Sequence, residues 1–243
     1  MSKSDRIWAL IPAAGESRRF RDAGFRRPKP LLRIRHPELG DRTMLGYALD
    51  AVPSELLRLV ALPTSISNED YDSRVRYEDC TRIFIEKTEG QGHTIAQMCA
   101  WFPREQPVLI VNCDVVFREI DLWGILSRLR ADGPGGGGYD AVIACRRSDD
   151  PALSYIDHFP IPTRFYEKEV QSSHMAMSGA WAFSSSVELI RAYELARRKE
   201  RGEVYLSHMM NHYRGTRVAL ELPAPVDFGT PEAVRACGAE VVG

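Results

Sequence analysis

The side chains most able to bind an anion are concentrated in residues 10–32, which read LIPAAGESRRFRDAGFRRPKPLL. Residues 7–11 are an apolar run typical of a buried strand, and Ala13, Ala14 and Gly15 then let a ligand approach the backbone closely. Asp22 is the one acidic residue between positions 18 and 35. The same stretch contains eight basic residues: Arg18, Arg19, Arg21, Arg26, Arg27, Lys29, Arg33 and Arg35. Exposed backbone N–H groups beside fixed cations predict a site for a polyphosphate.

Arg19 and Lys29 are the strongest candidates for catalytic cations in this stretch. Lys29 lies between Pro28 and Pro30, which fix the local backbone and limit where the lysine can reach. A cation about 4 Å from a phosphate charge contributes roughly 4 kcal/mol at an effective dielectric near 20, before desolvation costs. Two or three such cations in register would therefore hold a triphosphate. A solvated basic face explains the other exposed arginines equally well: Arg21, Arg26 and Arg27.

Two aspartates follow apolar strands and are placed to hold a metal ion. Residues 107–112 are a continuous apolar run, typical of a strand buried on both faces, and the run ends in Cys113-Asp114. Asp227 follows a second apolar run, residues 218–222, and precedes a Gly-Thr-Pro turn. Two carboxylates, completed by phosphate oxygens and waters, predict a Mg²⁺ site. A helix cap or a turn is the alternative role for Asp227.

The elements that carry these residues alternate between strands and helices. Strands are predicted at residues 7–12, 57–62, 82–86, 108–112 and 140–145, and helices at Met44–Ala51 and 94–101 among others. After Pro151 the order changes to strands at 154–159 and Met175–Phe183, then helices near 187–199 and 205–213. The pattern predicts a three-layer α/β/α fold with a mainly parallel, mixed central sheet. The glycine-rich stretch at 133–138 lacks the Gly-Lys-Ser/Thr ending of a P-loop and predicts a surface loop.

The motifs PAAGxSxRF and AGFxxPKPLL resemble the signature of the sugar-phosphate nucleotidyltransferases, which share the Rossmann-like nucleotide-diphospho-sugar transferase fold. Four further segments follow in the family's order and extend the resemblance over nearly the whole chain: TEGQGHT, LIVNCDVVF, EKEVQSSHMAMSGAWAF and VDFGTPE. The PKPLL and GEVYLS segments look similar to the short enzymes of this family that serve capsule or surface-polysaccharide assembly. One departure is Ser17, which replaces the second glycine of the family's GxGS/TRF pattern and narrows the allowed backbone.

The resemblance implies one domain over residues 1–243, with a nucleotide-binding half at about 1–150 and an acceptor half at about 151–243. It implies catalytic roles for Arg19, Lys29 and Lys168, with Mg²⁺ on Asp114 and Asp227. The nucleotide would contact Ala13, Ala14, Gly15, Glu16, Gln91, Gly92 and Asn112. The acceptor would contact Tyr155, Glu167, Ser178, Gly179 and Glu203. An exposed ion pair at Glu167-Lys168 and an ordinary strand glycine at Gly179 are the alternatives on the acceptor side.

The implied reaction is attack of an acceptor phosphate oxygen on the α-phosphorus of a nucleoside triphosphate (NTP), with pyrophosphate leaving. The acceptor, a sugar 1-phosphate or a phosphorylated small alcohol, is already an anion. No general base is therefore needed, and the enzyme must align two anions and neutralise the transition state. Arg19 would stabilise pyrophosphate, Lys29 the α-phosphate and Lys168 the acceptor phosphate.

Two other readings stay open at this point. A nucleotide-sugar-dependent glycosyltransferase would usually carry Asp-x-Asp where this chain has Asn112-Cys113-Asp114. A non-catalytic nucleotide-sugar sensor would be expected to lack some of the residues that this chain retains: Arg19, Lys29, Asp114 and Asp227. The nucleobase, the acceptor and the oligomeric state cannot be read from the sequence.

Composition adds expectations about partners and compartment. The sequence pI of about 6.6 argues against general nucleic-acid binding, despite the arginine-rich segment. The five cysteines include no CxxC pair, so reduced thiols and a cytoplasmic location are expected. No apolar stretch is long enough for a membrane span, and none is expected.

Overall fold

The computed structural model describes residues 7–66, 80–86, 88–129 and 138–242. The strands are β1 (Trp8–Pro12), β2 (Arg33–His36), β3 (Gly40–Thr43), β4 (Leu57–Pro63), β5 (Cys80–Ile85), β6 (Val108–Val111), β7 (Val115–Val116), β8 (Ala141–Arg147), β9 (Ser154–Ile156), β10 (Phe165–Glu167), β11 (Met175–Phe183), β12 (Arg217–Glu221), β13 (Val226–Asp227) and β14 (Glu240–Val242). The helices are α1 (Arg18–Asp22), α2 (Met44–Ala51), α3 (Gln91–Ala100), α4 (Glu119–Leu126), α5 (Ser186–Arg197), α6 (Leu206–Met210) and α7 (Pro231–Ala236), and a 3-10 helix covers Lys29–Leu31. The predicted loop at 133–138 lies, apart from Gly138, outside the described residues.

The central sheet contains nine strands within the described part of the chain. Seven of them follow the order β10-β9-β11-β6-β1-β4-β5, and β8 joins the other edge of β11 with β12 beyond it. β1 pairs in parallel with β4 and β6, as do β4 with β5 and β8 with β12, whereas β11 runs antiparallel to its neighbours. Both halves of the chain contribute strands to this sheet. The predicted α/β fold with a mainly parallel, mixed sheet is confirmed.

Helices cover both faces of the sheet, as the apolar pattern of the strands requires. One buried cluster joins the sheet to α3, α5 and α6, and a second joins it to α2 and α4. β6 and β11 are buried along their whole length because they lie between these two layers. The cores fix the middle of the sheet and leave its carboxyl edge free to form a site.

A crevice forms beside β1, where the order of the strands in the sheet reverses. β1 lies between β4, which follows it in the chain, and β6, which the chain reaches only after β5 and α3. Such a reversal of strand order opens a crevice at the carboxyl ends of the two central strands. The loop after β1 and residues 112–114 after β6 both lie at this point.

A bulge in β11 splits the sheet beside the crevice. The register of β11 with β8 shifts between Met177 and Trp181, and Gly179 within the shift has φ +95°. A Cβ at Gly179 would lie 3.0 Å from Val115 Cγ2, so both the backbone angle and the space require glycine. β11 pairs with β9 before the bulge and with β6 after it.

Two small sheets complete the fold, and neither is predicted from the sequence. β7 and β13 pair antiparallel and place Asp227 opposite Val115, one residue from Asp114. β14, β2 and β3 form the other sheet, which covers a third apolar cluster that includes Phe20 and Phe228. Among the described residues, no helix is long and apolar enough to cross a membrane.

The predicted boundaries hold for the most strongly patterned elements and shift for others. Met44–Ala51 and Met175–Phe183 are observed as predicted. The helix predicted at 94–101 begins earlier, at Gln91, so Gln91 and Gly92 belong to its first turn. The strand predicted at 154–159 ends at Ile156, since Asp157 accepts hydrogen bonds from the backbone of Thr163 and Arg164 in a turn.

Candidate active site

The crevice is a cleft of about 1140 Å³. This is enough for a nucleotide and a second substrate, since small-ligand pockets occupy roughly 300–1,000 Å³. Its walls come from the loop after β1, the 3-10 helix, the start of α3, the end of β6 and a segment after α5: Pro12, Ala13, Ala14, Gly15, Glu16, Ser17, Arg18, Arg19, Phe20, Lys29, Pro30, Thr88, Glu89, Gly90, Gln91, Thr94, Asn112, Cys113, Asp114, Arg197, Glu200, Gly202, Glu203, Tyr205 and Gly229. Most of the predicted nucleotide-side residues therefore share one cavity.

Ser17 joins the small-residue loop to the lysine segment. It precedes α1 in the left-handed conformation (φ 56°, ψ 30°), which costs a non-glycine residue energy. Its Oγ accepts a hydrogen bond from the backbone N–H of Lys29 at 2.9 Å. The serine that departs from the family's glycine thus keeps the glycine-like backbone and adds a bond that fixes Lys29.

Arg19, like Arg18, is an exposed cation that lines the cleft. Its neighbours are engaged differently, because Glu16 accepts from Arg18 Nε at 2.7 Å and lies 3.9 Å from Arg21. Glu16 therefore neutralises part of the basic cluster, while Arg19 stands on the cleft side of α1. This arrangement fits a cation that is accessible to a phosphate ligand in the cleft.

Lys29 is largely but not fully buried at the centre of the site. Its Nζ forms an ion pair with the Asp114 carboxylate and donates to the Gly229 carbonyl at 3.1 Å. Burial lowers the pKa of Lys29, but the charges of Asp114, Cys113 and Asp227 outweigh burial and raise the pKa above its ordinary value. Lys29 is thus a fixed, permanently protonated cation at neutral pH.

Asp114 and Asp227 converge at Gly229. Asp227 Oδ1 accepts from the Gly229 N–H at 2.6 Å, and a Cβ at Gly229 would lie 2.8 Å from Asp227 Oδ1 and 3.5 Å from Asp114 Oδ2. Burial raises the pKa of Asp227, and the neighbouring charge of Asp114 adds to the shift. Burial and mutual repulsion disfavour two ionised carboxylates side by side, and a bound cation would offset both effects. Carboxylate oxygens are hard donors that fit Mg²⁺, with phosphate oxygens and waters as further ligands. No set of three or more candidate side-chain ligands occurs in the described part of the chain.

Gln91 and Asn112 bridge the two sides of the cleft. Gln91 Nε2 donates to Asn112 Oδ1 at 2.9 Å, and Gln91 Oε1 accepts from the Leu206 N–H at 3.3 Å. These bonds hold the first turn of α3 against the end of β6 and the start of α6. Both residues line the cleft, as the sequence predicts, and they also position each other.

The sequence predicts that Gly92 contacts the nucleotide, but in the structure Gly92 packs against the protein itself. Its N–H donates to the Val204 carbonyl at 2.8 Å, and a Cβ there would lie 2.7 Å from the same oxygen. Gly90 faces the cleft instead. Its φ of 124° favours glycine, and a Cβ at this position would lie only 2.2 Å from Glu203 Cγ, so no larger residue fits without moving Glu203.

A chain of polar contacts forms the rim on the acceptor side. Tyr205 Oη donates to Glu203 Oε2 at 2.8 Å, and Lys168 Nζ donates to Tyr205 Oη at 3.2 Å while lying 4.7 Å from the ring centroid. Glu167 Oε2 accepts from Ser207 Oγ at 2.7 Å, behind the rim. Glu203 and Tyr205 line the cleft, whereas the described structure places Lys168 outside its lining, beyond Tyr205.

Tyr155 does not face a substrate, and its predicted role in acceptor binding is corrected. The side chain is fully buried, and Oη donates to the Asp150 carbonyl at 2.9 Å. Ser178 and Gly179 form the β11 bulge next to Asn112, whose N–H donates to the Gly179 carbonyl at 2.9 Å. They lie beside the cleft and not in its lining.

The sequence interpretation also missed residues of the cleft, among them Arg197 and Glu200, which come from the end of α5 and the turn after it. Tyr205, at the start of α6, also lines the cleft, and it belongs to the GEVYLS segment that carries part of the resemblance. The end of an amphipathic helix carries no comparable signal, since charged residues are expected there in any case.

Comparison with known proteins agrees with the geometry. Residues 9–204 match the model of the MobA-like NTP transferase domain family. No curated protein matches the chain significantly. The fold resembles the nucleoside-diphosphate-sugar pyrophosphorylase of Vibrio cholerae RC9, with TM-score 0.70, 16% identity, and coverage of 94% of this chain and 98% of that one.

Two other solved structures share the fold at lower identity. A putative glucose-1-phosphate thymidylyltransferase from Bacillus anthracis, in complex with a sucrose, has TM-score 0.70 and 14% identity, covering 95% of this chain and 93% of that one. The inositol-1-phosphate CTP transferase of T. maritima has TM-score 0.66 and 10% identity, covering 96% and 94%. These structures show the shared fold, and the family match confirms the resemblance to nucleotidyltransferases that the motifs indicate. The chain belongs to the MobA-like NTP transferase domain family and is a nucleotidyltransferase.

Proposed function

We propose that this enzyme transfers a nucleoside monophosphate from an NTP to the phosphate of a small phosphorylated acceptor, with release of pyrophosphate. The observation that carries the proposal is the meeting of Lys29, Asp114 and Asp227 at Gly229, with Arg19 lining the same cleft as Lys29 and Asp114. A cation, two carboxylates and an exposed arginine grouped in this way supply what a triphosphate and its metal need.

The proposed reaction needs no proton transfer by the protein. An acceptor phosphate oxygen forms a bond to the α-phosphorus, the bond from that phosphorus to the oxygen bridging to the β-phosphate breaks, and its electron pair leaves with pyrophosphate. The protein contributes alignment and charge neutralisation. A reaction that requires no base suits the described cleft, whose polar side chains are held mainly in ion pairs and hydrogen bonds.

Each nucleotide-side residue has a role that follows from its place. The backbone of Ala13, Ala14 and Gly15 would lie along the phosphates, where a Cβ at Gly15 would meet no atom within 4 Å. Arg19 would bind the leaving pyrophosphate, and Lys29 would neutralise the α-phosphate. Asp114 and Asp227 would hold Mg²⁺, which when bound supplies positive charge to the phosphate oxygens.

The acceptor class rests on the structural neighbours and on the second half of the chain. The neighbours are named for sugar phosphates and for inositol 1-phosphate. We take a sugar 1-phosphate as the first choice and a phosphorylated small alcohol as the second, bound on the side of Glu203, Glu167 and the β11 bulge. A role in surface-polysaccharide synthesis and a cytoplasmic location extend the same proposal.

Pyrophosphate release tests the proposal directly. CTP, UTP, dTTP, GTP and ATP are each combined, with Mg²⁺, with a panel of sugar 1-phosphates and phosphorylated alcohols, and Asp114→Asn serves as the blank. Release that depends on one NTP and one acceptor supports the proposal and names both substrates. Nucleotide binding that raises the melting temperature, without release for any pair, would instead favour a nucleotide sensor.

A further inference from the structure

Arg146 and Ser178 each carry a buried polar atom without a hydrogen-bond partner among the described residues. The atoms are Arg146 Nε and Ser178 Oγ, and Ser178 as a whole is 6% exposed. Burying a hydrogen-bonding group without a partner costs free energy, so such groups in a folded protein need a reason. A ligand that accepts from both is one such reason.

The two side chains lie on the same face of the sheet. Arg146 in β8 is opposite Ala176 in β11, and Ser178 follows Ala176 by two residues, so strand alternation puts all three on one side. Val142 and Ala144, which precede Arg146 on that face, pack in the cluster under α2 and α4. Arg146 extends this row to the carboxyl edge of the sheet, where the core ends.

Asp227 approaches the same edge from the other side. The Leu222 N–H donates to the Cys145 carbonyl at 2.9 Å, after which the chain crosses the edge and pairs Asp227 with Val115. Val115 also packs against Gly179, the bulge residue next to Ser178.

We propose that Arg146 and Ser178 bind the phosphate of the acceptor, next to the metal-binding carboxylate Asp227. This inference rests on the proposed function and assigns the acceptor end of it. A guanidinium offers parallel N–H donors that match two phosphate oxygens, and the Ser178 hydroxyl adds a third donor. Gly179 packs closely against Val115, so Ser178 lies beside the strand pair that carries Asp227.

Lys168 fits this task less well than Arg146. Its side chain is 44% exposed, and its Nζ already contacts the hydroxyl and ring of Tyr205 at the rim. We assign Lys168 to the outer part of the acceptor pocket, where it holds Tyr205 in place. Arg146 is then the residue that binds the acceptor phosphate.

The test compares Arg146→Gln with Arg147→Gln as the matched control. Arg147 is the next residue of β8, points to the opposite face, is 71% exposed and pairs with Glu221 at 3.2 Å. With the substrates found by pyrophosphate release, Arg146→Gln is expected to raise the KM of the acceptor about 10- to 100-fold and to leave the KM of the NTP unchanged. Arg147→Gln is expected to change neither. Equal acceptor KM values in both variants would overturn the assignment.

Ser178→Ala separates binding from structure. Because its hydroxyl has no partner within the described structure, removing it is expected to leave the melting temperature unchanged or higher. The acceptor KM is nevertheless expected to rise about 3- to 10-fold. A lower melting temperature with an unchanged acceptor KM would mean that Ser178 is structural, and would remove it from the site.

A binding experiment keeps the assignment testable if no substrate pair releases pyrophosphate. The enzyme is saturated with Mg²⁺ and an α,β-methylene nucleotide, and inorganic phosphate is titrated calorimetrically. Wild type and Arg147→Gln are expected to bind phosphate at least about tenfold more tightly than Arg146→Gln. The same affinity in all three, or no binding to the wild type, would contradict the site independently of the reaction.

Discussion

Lys29 and Asp114 lie 85 positions apart in the chain and form an ion pair at the centre of the cleft. The Lys29 ammonium therefore sits beside one of the two carboxylates that would hold Mg²⁺, with Asp227 close by across Gly229. In the free protein, lysine supplies the positive charge that the carboxylates need. A bound metal ion and nucleotide must either fit beside the Lys29 ammonium or turn the Lys29 side chain toward the phosphates.

Lys29→Met is expected to lower turnover by at least about 10²-fold, since a buried cation at the α-phosphate is lost. It should also destabilise the metal-free protein by about 1–3 kcal/mol, less than a fully buried pair, because both side chains are about one-fifth exposed. Mn²⁺ titration of the nucleotide-free protein, followed by electron paramagnetic resonance, should show affinity about tenfold higher or more than in the wild type. Weaker Mn²⁺ binding in this variant would show that Lys29 does not compete with the metal.

Arg19→Ala is expected to lower kcat/KM about 10²- to 10³-fold without changing the melting temperature, because the side chain is exposed and faces the cleft. Arg21→Ala is the matched control. Arg21 lies on the same short helix, is also exposed and is outside the cleft lining. Steady-state kinetics and thermal melts of both variants decide the matter, and equal losses of activity would point to a general effect of surface charge.

Ser17 offers a test that separates backbone strain from hydrogen bonding. Ser17→Ala and Ser17→Gly both lose the bond to the Lys29 N–H, but only glycine relieves the left-handed conformation. The glycine variant should be more stable than the alanine variant by about 1 kcal/mol in urea unfolding. Both should lose activity relative to wild type. Full activity in Ser17→Gly would show that the bond to Lys29 is dispensable.

The raised pKa of Asp227 predicts a pH-dependent effect on stability. Burial, with Asp114, makes the folded-state pKa higher than the unfolded one, so ionised Asp227 opposes folding at neutral pH and protonated Asp227 does not. Asp227→Asn should therefore raise the free energy of unfolding at pH 7 in chelator-treated samples. The gain should disappear below about pH 4, the ordinary range of an aspartate pKa. A gain that persists at pH 3 would mean that ionisation is not its cause.

The fold, and the position at one cleft of most residues assigned to the nucleotide, were largely predictable because their signals are local. The strand before Ala13, the loop to Arg19 and the proline-flanked Lys29 follow one another in the chain. The position of Asp114 was predictable because it follows the carboxyl end of β6, a continuous apolar strand.

The acceptor side was less predictable because long-range pairing builds it. The approach of Asp227 to Asp114 depends on two-residue strands, β7 and β13, which leave no periodic pattern. Strand alternation in β9 points Tyr155 into the core, and Arg146 lies at the end of β8, where its direction is set by the register with β11. Position 92 needs glycine because its backbone packs against Val204, and no local sequence pattern indicates this contact.

The fate of the α- and γ-phosphates tests the central claim most directly. The NTP found by pyrophosphate release is supplied in two labelled forms, at the α- or at the γ-phosphate, and the products are separated. The account predicts that the α-label enters an acceptor-linked nucleotide and that the γ-label leaves in pyrophosphate, with neither in Asp114→Asn. A γ-label on the acceptor, or in free orthophosphate alone, would contradict attack at the α-phosphorus and with it the proposed function.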